Sequence, residues 1–96
     1  METIIDTQYP MVKLVDDCLA ESWKDWYVDM GKDIQKEFPD YVVLISGGSY
    51  RGYDISVDYV DKERKKIRID CYLPMYIDSD DCVEFAIDYV KNVVES

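Results

Sequence analysis

The chain has 96 residues, of which 21 are acidic and 11 basic, with no histidine and a net charge of −10 at pH 7. Hydrophobic residues at 48% and aromatics at 14% exclude intrinsic disorder and suffice for one core of modest size, so a single domain over 1–96 is expected. That charge opposes direct contact with nucleic acid or an anionic membrane, and no stretch has the pattern of a membrane span or an export signal, so a cytoplasmic protein is expected.

Residues 1–9 have no clear period and read as a loose N-terminal arm. Pro10 suits the first turn of a helix, where its missing amide hydrogen costs little, and a long helix is expected over 10–38. Within that stretch every fourth residue from Asp17 is acidic: Asp17, Glu21, Asp25, Asp29, Asp33 and Glu37. Apolar rows recur at the same interval, Leu14, Cys18, Trp26, Met30, Ile34, Phe38 and Val15, Leu19, Trp23, Tyr27, which gives an amphipathic helix with an acidic stripe beside its buried face. A straight helix turns once per 3.6 residues, so a period of four drifts by about 40° per step and by roughly 200° from Cys18 to Phe38. The drift predicts a bend or break between Ser22 and Gly31, or a helix whose two ends pack against different things.

Pro39 ends the helix, because a proline pushes the residue before it out of the α region. Residues 41–46 are β-branched and aromatic and read as a strand, and the glycine-rich stretch 46–52 reads as a loop. Tyr53, Ile55, Val57 and Tyr59 then alternate with Asp54, Ser56 and Asp58, the pattern of a strand with one wet face. A charged turn at 61–65 leads to a strand with Ile67, Ile69, Cys71 and Leu73 inward, forming an antiparallel hairpin with the strand before it. The three strands together span 41–73. A C-terminal helix is expected over 79–95, with Asp80 and Asp81 in its first turn favoured by the helix dipole and Val83, Ala86, Ile87, Val90, Val93 and Val94 at a 3.6 period. The expected fold is α+β in two layers, helix-strand-strand-strand-helix, with a three-stranded antiparallel sheet and both helices on one face.

Charge is uneven along the chain. Residues 1–48 carry ten acids and four bases, residues 49–68 four and six, and residues 69–96 seven and one. The helical acids serve solubility in the plain reading, with Glu21–Lys24, Asp29–Lys32 and Asp33–Lys36 forming weak surface pairs. In the sharper reading they imitate a phosphate backbone, but six carboxylates over about 30 Å of helix are sparse beside the roughly 18 charges of duplex DNA over that length, so the last helix and the wet sheet face would have to contribute. The candidate partner-binding residues are Asp17, Glu21, Asp25, Asp29, Asp33 and Glu37 on the first helix and Asp80, Glu84 and Asp88 on the last. Tyr50 and Arg51 in the glycine-rich loop join them as types favoured at interface anchors.

Other constellations are weaker. Asp54, Asp58 and Asp70 on the wet sheet face are of the type that binds a divalent cation, but Arg68 and the nearby turn lysines supply countercharge, and a solvated polar face is strongly the favoured reading. The glycine-rich loop leads into a strand and not a helix, so neither nucleotide-binding fingerprint applies. Cys18, Cys71 and Cys82 lack paired spacing and read as buried free thiols. With no nucleophile-base pair, ligand spacing or cofactor motif, no catalytic residue, metal site or cofactor is assigned and an enzyme is the least favoured class.

In size, acidity and element order the chain resembles the small phage-encoded inhibitors of CRISPR nucleases and other DNA-mimic inhibitors. The resemblance implies a phage protein that inhibits stoichiometrically, without catalysis, by occluding a basic, nucleic-acid-binding site on a partner protein. The alternatives are a structural or regulatory homodimer joined through the aromatic end of the first helix or the sheet edge, and, less favoured, a metal-dependent enzyme using the sheet-face aspartates.

Overall fold

The structure, a computed structural model, describes residues 3–4, 6–15, 21–47, 55–71 and 79–96. Five strands and two helices follow one another: β1 (Thr3–Ile4), β2 (Val12–Leu14), α1 (Glu21–Glu37), β3 (Val42–Gly47), β4 (Ile55–Asp61), β5 (Lys66–Cys71) and α2 (Ser79–Glu95). The strands form one mixed sheet in the order β1-β2-β3-β5-β4. β2, β3 and β5 are mutually parallel, while β1 and β4 run antiparallel at the two ends.

The α+β class holds, and the expected three-stranded antiparallel sheet is corrected in three respects. Val12–Leu14, expected inside the first helix, is a strand pairing Val12 with Val43, Lys13 with Leu44 and Leu14 with Ile45. Parallel neighbours require a crossover, and α1 supplies it between β2 and β3. The arm at the N-terminus is not loose, since Thr3 and Ile4 pair with Leu14 and Lys13. Finally, β5 lies between β3 and β4, so β3 gains a parallel partner from a strand that is itself half of the β4–β5 hairpin.

The helix expected over 10–38 is therefore shorter at its start, and it runs from Glu21 to Glu37 without interruption. The break that the drift from Cys18 to Phe38 predicted between Ser22 and Gly31 is not formed; Cys18 lies outside the described residues. From Met30 onward the row is real: Met30, Ile34 and Phe38 are all buried. Gly31 lets α1 approach the sheet closely, because a Cβ there would stand 2.6 Å from Ile45 Cδ1 and 2.8 Å from Val12 Cγ1.

Alternation selects the face that carries the core. Val12, Leu14, Val43, Ile45, Ile67 and Ile69 face one way and meet Met30 and Ile34 of α1 and Ala86 and Val90 of α2, so both helices cover one side of the sheet. Ile34, Val43, Ile45, Ile67, Ile69 and Val90 are fully buried. On the opposite face the Ser46 hydroxyl donates to an Asp70 carboxylate oxygen, and Arg68 Nε lies 3.6 Å from both Asp58 and Asp70.

A bulge in β4 changes the expected alternation. Val57 pairs with Ile69 but Tyr59 pairs with Arg68, leaving Asp58 as the extra residue. Tyr59, expected in the inward row with Val57, is consequently exposed, and Val60 takes its place against the core. The following turn is held by Asp61, whose carboxylate accepts the Glu63 and Arg64 amides at 3.1 and 2.9 Å. Lys65 takes a left-handed conformation there, φ 57°, and its carbonyl accepts the Val42 amide at 2.8 Å, joining the turn to the start of β3.

Candidate partner-binding surface

The two helices lie side by side on the sheet, and among the described side chains the exposed charges on them are mostly acidic: Asp29, Asp33, Glu37, Glu84, Asp88 and Glu95 against Lys36 and Lys91. Over its 17 residues α1 carries five acids and three bases; α2, equally long, carries five and one. This follows from amphipathicity: the residues that do not meet the core at a 3.6 period are the ones free to be charged.

Part of the expected acidic set converges across the helix pair. Asp33 and Glu37 of α1, with Lys36, line a shallow open depression of about 360 Å³ together with Val83, Glu84 and Ile87 of α2. Its floor is partly apolar and its rim carries three carboxylates. Lys91 of α2 reaches Glu37 of α1 at 3.5 Å and ties the two helices at this point. Asp88 is exposed on the outer face of α2, and Asp29 is exposed on α1.

The remaining candidates divide into two groups. Glu21 and Asp25 stand in the first part of α1 and Asp80 in the first turn of α2, and their side chains are outside the described part of the chain. Asp17, Tyr50 and Arg51 lie outside the described residues altogether. Of the sheet-face trio, Asp54 is likewise outside, whereas Asp58 and Asp70 flank the same guanidinium of Arg68. A cation is thus already in place between them, and among the described residues no group of three or more potential metal ligands gathers.

No family model matches this chain, and no curated protein or solved structure is significantly similar to it. Among the described residues no helix is long and apolar enough to cross a membrane.

Two of the expected surface pairs, Asp29–Lys32 and Asp33–Lys36, form at 3.9 Å, while the side chains of Glu21 and Lys24 lie outside the described part of the chain. Lys32, expected beside Asp29, stands 3.9 Å from it but only 3.0 Å from Asp6, and its ammonium sits 4.5 Å from the centre of the Tyr9 ring. The Gln8 amide donates to the Asp6 carboxylate at 2.9 Å. That hydrogen bond, then Lys32, lowers the Asp6 pKa below its ordinary value; the hydrogen bond to Asp6 in turn raises that of Lys32. This clamp, absent from the sequence reading, fastens the segment before β2 to α1. The signal for it was Asp6 two residues ahead of Gln8, the spacing at which an aspartate caps its own turn.

Lys36 is 3.9 Å from Asp33, a loose pair exposed on both sides. The basic turn after β4 is also occupied within the molecule. Lys62 Nζ donates to the Ser96 carbonyl at 3.0 Å, and Lys65 Nζ lies 5.1 Å from the centre of the Tyr41 ring.

Proposed function

We propose that this chain is a small acidic binding module that acts stoichiometrically, without catalysis, by covering a basic, nucleic-acid-binding site on a partner protein. The observation that carries the reading is the convergence of Asp33, Glu37 and Glu84 from two helices, with Lys36 as the one cation among them, on one open and partly apolar depression. A carboxylate rim around apolar surface suits a partner that offers cations around an apolar contact.

Charge density sets the manner of recognition. Each 17-residue helix spans about 25 Å, a length over which duplex DNA carries about 15 phosphates. The ten acids of the two helices together, opposed by four bases, fall well short of that. The reading is accordingly of a complementary acidic surface, not of a replica of a nucleic-acid backbone, and inhibition in the manner of phage-encoded inhibitors is its most specific form.

The test is capture by the immobilised chain from a lysate of the source cells, with stepwise salt elution and mass spectrometry. A basic nucleic-acid-binding protein is expected at low salt, released progressively as salt rises, and weakened by combined Asp33→Asn, Glu37→Gln and Glu84→Gln substitutions. Capture that ignores both salt and these substitutions overturns the proposal.

A further inference from the structure

On α2, Phe85 is 77% exposed and Tyr89, one turn later, 55% exposed, the two most exposed large hydrophobic residues described. Both stand two positions from Ile87, so at 100° per residue they project on the side of α2 opposite to the one that meets α1. α2 packs over β4, the last strand of the sheet, so this flank overhangs the sheet's outer margin. Asp88 lies between the two rings in sequence and is exposed with them; the nearest cation on the helix, Lys91, is held by Glu37 on the other side. Among the described residues of α2 the pair is thus an aromatic ledge with a negative border and no cation on its side of the helix.

Removing these rings from water is favourable, and among the described residues nothing covers them. A second copy is a poor occupant: it brings −10 against −10, and a two-fold contact through α2 sets Asp88 near its own counterpart. An anionic ligand meets the same repulsion. A cation that also stacks on aromatic rings satisfies both the border and the rings, and guanidinium does so better than ammonium because it is planar and weakly hydrated.

We propose that the Phe85–Tyr89 ledge is part of the partner interface and that it receives an arginine-bearing segment of the partner, its guanidinium stacked on the rings and held by Asp88. This rests on the acidic-module reading above and adds to it the residue type recognised. The experiment uses two synthetic helical peptides of about 15 residues, alike in leucine and alanine, one with arginine and one with lysine at its cationic positions. Binding to the intact chain is followed by fluorescence anisotropy.

The arginine peptide is expected to bind about tenfold more tightly than the lysine peptide. Phe85→Ala with Tyr89→Ala should abolish that preference while leaving the salt-dependent binding shared by both peptides; both sites are exposed, and circular dichroism checks that the fold is kept. Asp33→Asn with Glu37→Gln should weaken both peptides and leave the preference. Equal binding of the two peptides, or a preference that survives loss of both rings, overturns the ledge and spares the acidic-module reading. Failure of both peptides to bind overturns the two together. Sedimentation that finds a dimer dissolved by the double substitution makes the occupant a second copy and overturns the proposal.

Discussion

Gly31→Ala sets two known effects against each other at one atom. In an exposed helix interior the change stabilises by about 1 kcal/mol, because alanine restricts the unfolded chain and packs the helix better. Here the new methyl meets Ile45 Cδ1 at 2.6 Å and Val12 Cγ1 at 2.8 Å, about 1 Å inside ordinary carbon contact. Neither neighbour has room to withdraw, since Ile45 is 0% and Val12 2% exposed and both are β-branched. Overpacking of this kind costs about 1–3 kcal/mol, so a net loss of roughly 1 kcal/mol is expected. For a domain of this size that lowers the Tm by about 4–8 °C.

Urea denaturation of the parent, Gly31→Ala, Ile45→Val and the double variant isolates the cause. Ile45→Val removes the closest atom and alone costs about 0.5–1.5 kcal/mol. In its presence Gly31→Ala should be less harmful, with a coupling of about 1 kcal/mol. A Gly31→Ala protein at least as stable as the parent, or one whose effect does not change with Ile45→Val, refutes the close approach of α1 to the sheet.

Three further outcomes follow from local geometry. At Lys65 the left-handed backbone favours glycine, so Lys65→Gly should be more stable than Lys65→Ala by about 1 kcal/mol in thermal melts, the reverse of the usual order. The Asp6–Lys32 clamp has two pH limits. The depressed Asp6 pKa makes its contribution complete above the ordinary value of 3.8 and lost as pH falls through the lower folded value; the raised Lys32 pKa makes its contribution complete below 10.5 and lost as pH rises through the higher folded value. Amide protection at Thr3 and Ile4, measured relative to the intrinsic exchange rate at each pH, should therefore fall at both extremes, and Asp6→Asn should remove the acid limb. Ile69→Ala, in the centre of the core, should cost about 2–5 kcal/mol by denaturant titration, far more than Ile4→Ala at the exposed end of the sheet.

The sequence was legible where a pattern repeats long enough to have a period. Val83 to Val94 cycle at 3.6 residues in α2, and Ile67 and Ile69 alternate inward in β5. It was not legible at β2, where three residues are too few to carry a period of two and Leu14 also completes a row of four. What makes Val12–Leu14 a strand is its pairing with Val43–Ile45, some thirty residues away, and no local preference records that. The bulge at Asp58 defeated simple alternation in the same way, turning Tyr59 outward.

For the surface, the acidic row was visible as spacing, but the meeting of Asp33 and Glu37 with Glu84 depends on how the helices lie together. Lys32 was assigned by sequence distance to Asp29, and the fold offered it a nearer carboxylate in Asp6. The exposed pair Phe85 and Tyr89 sits at the spacing of a buried stripe, and only the position of Ala86 and Val90 in the core reveals that it is turned away.

The extra residue in β4 also bears on how copies of the chain coexist at high concentration. The outermost strand of a sheet offers a row of amides and carbonyls to any neighbour that can lie flat against it, and seven regular residues would make a long template. Asp58 interrupts that row midway and twists the strand, so an approaching strand finds matching partners for only about half its length before it meets a carboxylate. Deleting Asp58 would restore even alternation and a continuous edge. The shortened protein should then form fibrous or oligomeric material that the parent does not, even at equal net stability.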